Sequence, residues 1–159
     1  MCLYVSSAKF EVKVATEDLK CYKIMDKIDE NHFESMYKKY RYSKGLTNNQ
    51  SEQFSNAIDE TLKKGTAVKI DRDGFVYHVY TKDMIGSFIA NHEEVYCFTD
   101  GGFHSFTDLS AEDVYGMGFV GVECVIPKGS RYVVGYDYVE KKQAYFSESI
   151  RVVGEKRFA

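Results

Sequence analysis

Three places in the chain hold side chains that could do more than pack. Tyr37-Lys38-Lys39-Tyr40-Arg41-Tyr42-Ser43-Lys44 interleaves cations with flat rings. A single-stranded nucleic acid or a small phosphate-bearing ligand needs that pattern, because phosphates want charge and bases want faces to stack on. An exposed strand with tyrosines on both faces explains the same letters. Gly101-Gly102-Phe103-His104-Ser105-Phe106 places His104 and Ser105, an acid–base group and a hydroxyl, between aromatic residues. Each is equally read as a satisfied strand residue. Lys23 is the third place, because strand alternation over Leu19–Met25 puts it on the side of Leu19, Cys21 and Met25. It is either an edge-strand lysine whose stem snorkels or a cation facing a pocket. His78, between aromatic residues, reads first as a packed sheet residue.

Composition narrows the chemistry. The net charge of −3 supplies no global field for nucleic acid or an acidic membrane, so nucleic-acid binding would have to be local. Cys2, Cys21, Cys97 and Cys124 include no Cys-x-x-Cys pair, which argues against a structural zinc site and, at this length, against a disulfide framework. Reduced, buried thiols in a cytoplasmic protein are expected. No residue set points to a metal, a phosphate loop or a nucleophile triad. The first residues lack a basic region followed by an apolar stretch, and no window is long and apolar enough to span a membrane, so a cytoplasmic location is expected.

The elements that must position these residues follow from period and punctuation. A chain of 159 residues, 44% apolar and 28% charged, is read as one globular domain covering 1–159. Alternation predicts a strand over residues 8–14, with Phe10, Val12 and Val14 on the buried face, and another over 19–25. Residues 26–46 read as polar and irregular. Asn48 or Asn49 caps a helix with Phe54, Ala57, Ile58 and Leu62 at three/four spacing, ended by Gly65. Asp71-Arg72-Asp73-Gly74 turns a hairpin, and residues 83–92 read as a short helix. Ser110-Ala-Glu-Asp113 is a capping pattern, the run 119–126 is a central doubly covered strand, and 144–153 is one last strand. The sum is about eight or nine strands with two or three short helices, an α+β fold on a curved, mostly antiparallel sheet.

With these pieces placed, the chain resembles an uncharacterised family of small proteins from bacteriophages, prophages and gut bacteria. The resemblance rests on Cys21-Tyr22-Lys23, Gly102-Phe103-His104-Ser105-Phe106, the Ala111 helix, Ile126-Pro127-Lys128-Gly129-Ser130-x-Tyr132 and Ser147-x-x-Ile150-x-Val152. It implies a source and carries no activity. Taken with the small size, the tyrosine-rich surface, the local cations Lys38, Lys39, Arg41 and Lys44 and the lack of a complete catalytic set, that source leads to the first expectation, a phage-type binding protein, a counter-defence factor in the host cytoplasm that sequesters a nucleotide-like ligand or blocks a host defence protein.

A fainter similarity is to the ADP-ribosyltransferase fold. Those enzymes put a His or Arg on an early strand, a Ser or Tyr on a strand leading into a small helix, and a catalytic Glu on a late strand. The corresponding places hold Tyr22 or Lys23, then His104 or Ser105, then Glu148. Lys23 departs from the family's His or Arg. The resemblance implies a site for NAD or a nucleotide, with Glu148 stabilising an oxocarbenium-like centre. Ligand-binding candidates are therefore Tyr22, Lys23, His104, Ser105, Tyr40 and Arg41, and catalysis is conditional on Glu148, His104 and Ser105. A pure protein-interaction module is the third expectation, and the oligomeric state is left open.

Overall fold

The computed structural model describes residues 3–36, 40–72, 75–81, 93–114, 118–137 and 142–158, with residues 67–72, 75–81 and 93 described through the backbone alone. The chain runs through β1 (Leu3–Ser6), β2 (Lys13–Val14), β3 (Leu19–Asp29), β4 (His32–Ser35), β5 (Arg41–Ser43), β6 (Thr47–Asn49) and α1 (Ser51–Lys64). It continues through β7 (Ala67–Arg72), β8 (Phe75–Thr81), β9 (Glu93–Phe98), β10 (Phe103–Phe106), α2 (Ala111–Val114), β11 (Val120–Ile126), β12 (Arg131–Asp137), β13 (Lys142–Ser147) and β14 (Ser149–Glu155). The strands join one 14-stranded sheet in the order β6-β14-β11-β3-β10-β13-β12-β1-β9-β7-β8, with β2 on β12 and the β4–β5 pair on β3. Every pairing is antiparallel and the sheet does not close into a barrel. The fold is richer in strand than the α+β expectation.

Long-range pairing explains most of the differences from the local reading. Only Lys13–Val14 of the expected first strand enters the sheet, and Val12 and Val14 are exposed. Phe10 alone buries, its ring stacked on Phe98 at 5.9 Å. The described residues of 26–46 are not irregular, because β3 runs on to Asp29 and pairs with β4, which pairs with β5. The expected last strand is two. β13 lies between β10 and β12, β14 lies between β11 and β6, and the chain crosses between these neighbours at Glu148. The 67–81 hairpin forms as expected, with a register shift between Ile70 and Asp71. The expected helix over 83–92 and the Lys38-Lys39 pair lie outside the described residues, as does the His78 side chain.

Each face of the sheet has its own core. On the helix face, Phe54 and Ile58 of α1 pack with Leu3, Val5, Phe98, Phe106, Val133 and Phe146. Phe54 and Phe146 stack at 5.2 Å, and Phe146 and Phe98 at 5.3 Å. The N-cap of α1 is Gln50, with no side-chain cap bond, rather than the expected Asn48 or Asn49; both asparagines are drawn into β6 by its pairing with β14, and Asn49 Oδ1, one residue before the cap, accepts from the Ser51 N–H at 2.9 Å. Gly65, at φ +81°, ends it. The Gly101-Gly102 turn comes close to this core, and a Cβ on Gly102 would lie 2.7 Å from the Phe146 ring. The capping pattern before α2 is realised, with the Ser110 N–H donating to Asp113 Oδ2 at 2.7 Å and the Ser110 hydroxyl to the same oxygen at 2.9 Å.

The opposite, tyrosine face buries Cys21, Met25, Phe33, Tyr42, Phe103, Val122, Cys124, Ile126, Ile150 and Val152, with Tyr132 and Tyr145 packed against them. β11 is central, between β14 and β3, as its apolar run predicts. Its tyrosine-face residues Val122, Cys124 and Ile126 are fully buried, whereas Glu123 and Val125 on the other side are only partly covered.

Candidate functional site

The site is built where the sheet splits. β3 pairs along its first half with β11, from Leu19–Ile126 to Met25–Val120. On its other edge β10 touches it at Tyr22–Phe106 and β4 takes over at Met25. Lys23 stands in the gap between those two neighbours. Its Nζ donates to the backbone carbonyl of His104 at 2.5 Å, the one hydrogen bond it makes among the described residues. The ammonium also lies 5.6 Å from the centre of the Tyr42 ring. A carbonyl that departing strands would leave exposed on a buried edge is thus answered by a lysine, which has two further N–H groups to offer. Burial lowers the Lys23 pKa, since an apolar surround disfavours the ammonium.

Around Lys23 the tyrosine face carries rings and unanswered polar atoms. Tyr40 and Tyr42 are 4.8 Å apart, and Phe103 meets them edge-on at 5.9 and 6.2 Å. Tyr42 is buried and its hydroxyl pKa is raised by desolvation, so it stays protonated. Tyr40 is 38% exposed, the accessible ring of the group. Its hydroxyl reaches Asn48 Oδ1 at 3.4 Å, a weak contact, while Asn48 Nδ2 is buried with no hydrogen-bond partner among the described residues. Ser105 is fully buried on the same face and its Oγ has no well-formed hydrogen bond, although it lies against the Cys21 thiol and eases that thiol's ionisation. An unanswered buried polar group costs about 1–3 kcal/mol. One strand end therefore holds aromatic faces, a cation and two open polar atoms.

The remaining expected residues lie elsewhere. Tyr22 and His104 alternate away from Lys23 and Ser105, onto the helix face. Tyr22 packs beneath Lys156, whose Nζ is 4.2 Å from its ring centre. His104 meets the Phe146 ring edge-on at 5.2 Å, and its Nε2 sits 2.8 Å from the Thr99 carbonyl. A carbonyl only accepts, so Nε2 carries the proton and Nδ1 is a bare, buried lone pair without a partner among the described residues. Burial, with the Lys23 charge adding to it and the Thr99 hydrogen bond opposing, lowers the His104 pKa to about 4. His104 is neutral at pH 7.

Glu148 is also on the helix side, at the start of α1. It pairs with Arg131 Nε and accepts from Ser51 Oγ at 3.1 Å. Arg131 in turn donates to Ser55 Oγ at 2.9 Å and the Ser51 carbonyl at 3.2 Å, over the Phe54 ring. Backbone bonds from Glu148 to Arg131 and from Gln50 to Glu148 fix the same crossing. Arg41 points outward beside Glu34, 3.7 Å away.

The structure thus brings Lys23, Ser105 and Tyr40 to one face and leaves Tyr22, His104, Glu148 and Arg41 off it. It adds Tyr42, Phe103 and Asn48, which the sequence reading treated as strand, core and helix-cap residues. No local signal marks Asn48, whose place comes from pairing with Ile150 of β14. Among the described residues no group of three or more His, Cys, Asp or Glu side chains could hold a metal ion, and no helix is long and apolar enough to cross a membrane. No protein-family model, curated protein or solved structure matches the chain.

Proposed function

We propose that this chain is a small binding protein whose tyrosine face captures a nucleotide-like ligand, in keeping with the phage-type source its motifs resemble. The observation that carries the reading is the Lys23 ammonium, half-buried beside the Tyr42 ring and answered by a single backbone carbonyl. A phosphate or a base carbonyl would take its remaining N–H groups, a base would stack on Tyr40, and Asn48 Nδ2 would supply a further donor. A binding site needs only an apolar, aromatic lining with a few placed polar groups.

The finer likeness to ADP-ribosyltransferases gains less support. Transfer chemistry would need Lys23 or Tyr22, His104 or Ser105, and Glu148 about one cleft. Lys23 and Ser105 face away from Glu148, and of the helix-side set Tyr22 lies beneath Lys156, His104 is bonded to the Thr99 carbonyl and Glu148 is engaged by Arg131 and Ser51. Binding is therefore placed ahead of catalysis, and blocking of a host protein stands as the competing use of the same face.

Calorimetry with cyclic oligonucleotides, ADP-ribose derivatives and NAD tests the reading. Binding of at least one is expected. It should weaken in Tyr40→Ala by the about 1–3 kcal/mol that a base–ring stack contributes, without loss of folding, since Tyr40 is accessible. No heat and no thermal shift with any of them would sink the small-ligand reading. A host-protein pull-down that survives Tyr40→Ala and Asn48→Ala would favour an interaction surface elsewhere. Nicotinamide released from NAD, and lost in Glu148→Ala, would restore the enzyme.

A further inference from the structure

The spacing of the cysteines in sequence hides a pair that the sheet creates. Cys21 and Cys124 are direct partners in the β3–β11 ladder, held there by registered pairs on both sides. Both side chains are fully buried on the tyrosine face, and both are thiols. Directly opposed residues of an antiparallel pair have Cα atoms about 4.5–5.5 Å apart, inside the roughly 4.4–6.8 Å that a disulfide spans.

We propose that Cys21 and Cys124 form a reversible cross-strand disulfide, closed by a two-electron oxidant of the peroxide class and reopened by a thiol reductant. No change of pairing or register is needed, only a small approach of the two strands. Opposed Cβ atoms sit about 4.5–5.5 Å apart against about 3.8 Å in a relaxed disulfide, so closure draws the strands together and leaves a bond that thiols reduce readily. Little is given up on closing. The Cys124 thiol has only a weak contact to the Val122 carbonyl at 3.9 Å, and the surround of Val122, Ile126, Ile150 and Val152 suits an apolar S–S bond.

The two sulfurs are not equivalent. Desolvation raises the Cys21 pKa to about 11, while the Ser105 hydroxyl and the Lys23 ammonium limit the rise. Cys124 is pushed higher still, by desolvation and by Cys21 itself. Cys21 is therefore the thiol that ionises first and attacks. Its thiolate displaces hydroxide from the peroxide, breaking the O–O bond and leaving a sulfenic acid, and the hydroxide takes up a proton to become water. The Cys124 sulfur then attacks the sulfenic sulfur. The S–O bond breaks, the leaving hydroxide departs as water with the Cys124 proton, and the S–S bond forms. Two thiols lose two electrons and two protons, and one peroxide becomes two waters.

This inference is independent of the ligand reading. The test uses the full chain, as wild type and as the Cys2→Ser, Cys97→Ser variant, reduced and then exposed to hydrogen peroxide under native conditions. Intact mass in both proteins is expected to fall by about 2 Da. A non-reducing peptide map should join the Cys21 and Cys124 peptides, and dithiothreitol should restore the mass. Oxidation should also raise the thermal midpoint. A mass that does not change, a gain of oxygen without the two-hydrogen loss, or a bridge through Cys2 or Cys97 in the wild type with none in the variant would each overturn it. The variant keeps both relevant cysteines and disturbs no buried thiol of the pair, so the result does not depend on a core substitution folding.

Discussion

His104 makes the stability of this protein depend on pH between about 4 and 6.5. In the folded state its pKa is lowered from 6.5 to about 4, because burial of the ring against Phe146 disfavours the charged form and the Lys23 charge adds to this, while the Nε2–H bond to the Thr99 carbonyl opposes the shift without cancelling it. A histidine that resists protonation when folded makes the unfolded chain bind more protons between those two values. Stability is therefore full above pH 6.5 and falls as pH drops toward 4. The whole shift corresponds to about 3 kcal/mol, of which about 2 kcal/mol is lost between pH 7 and pH 5. For a chain of this length that is on the order of 4–8 °C in thermal midpoint. The carboxylates with lowered pKa values, Asp18, Asp29, Glu30 and Asp113, act in the same direction but lose their contribution only nearer pH 4 and below.

The perturbation is His104→Gln, which can keep an N–H toward Thr99 and cannot charge. Urea unfolding of wild type and variant at pH 7, 6 and 5 should show the variant less stable at pH 7 and the gap closing by about 2 kcal/mol at pH 5. A gap that stays constant across this range would mean that folded His104 protonates like a free histidine, and both the burial argument and the tautomer assignment would fail.

Three further outcomes follow from the helix face. Gly102→Ala sets a Cβ 2.7 Å from the Phe146 ring, and overpacking there should cost about 1–3 kcal/mol in urea unfolding. Asn49→Ala removes the acceptor for the Ser51 N–H and Oγ just before α1 and should cost about 1 kcal/mol, the net contribution of a hydrogen bond. Glu148→Gln and Arg131→Met should each destabilise. Their double-mutant cycle should show a coupling of about 1–3 kcal/mol, because the pair closes the strand crossing against α1. Additive effects would mean the ion pair is incidental to the crossing.

What could be read from the letters was what local chemistry fixes. The α1 period, the Gly65 stop, the Ser110–Asp113 cap and the 67–81 hairpin each need only neighbours within a few residues, and the structure contains all of them. Alternation located β3 and the central β11 but stumbled wherever partner strands decide which face is buried. Val12 and Val14 alternate correctly and are exposed, since only β2 pairs there, with β12. The break at Glu148 was invisible for the same reason. A single run of strand-prone letters serves two sets of neighbours, and only Arg131 and the α1 start mark the crossing.

The candidate site divides along the same line. Lys23 was legible as a misfit on an apolar side, because a cation with the wrong parity is a local fact. Its partner could not be read, since the partner is a backbone carbonyl 81 positions away, uncovered only because β10 leaves β3 where β4 joins it. His104 and Ser105 stood out by type, and as neighbours on one strand they had to face opposite ways. The expectation nevertheless put both in one candidate site, and the structure separates them by that alternation, with Ser105 on the tyrosine face and His104 against Phe146. Cys21 and Cys124 reverse the lesson. Separately they read as inert core thiols, and only the register of a long-range ladder makes them a pair. The residues with the most chemical latitude in this fold are thus those whose neighbours come from distant strands, and Lys23, Asn48, Cys21 and Cys124 are the positions at which long-range pairing, not local pattern, creates the chemistry.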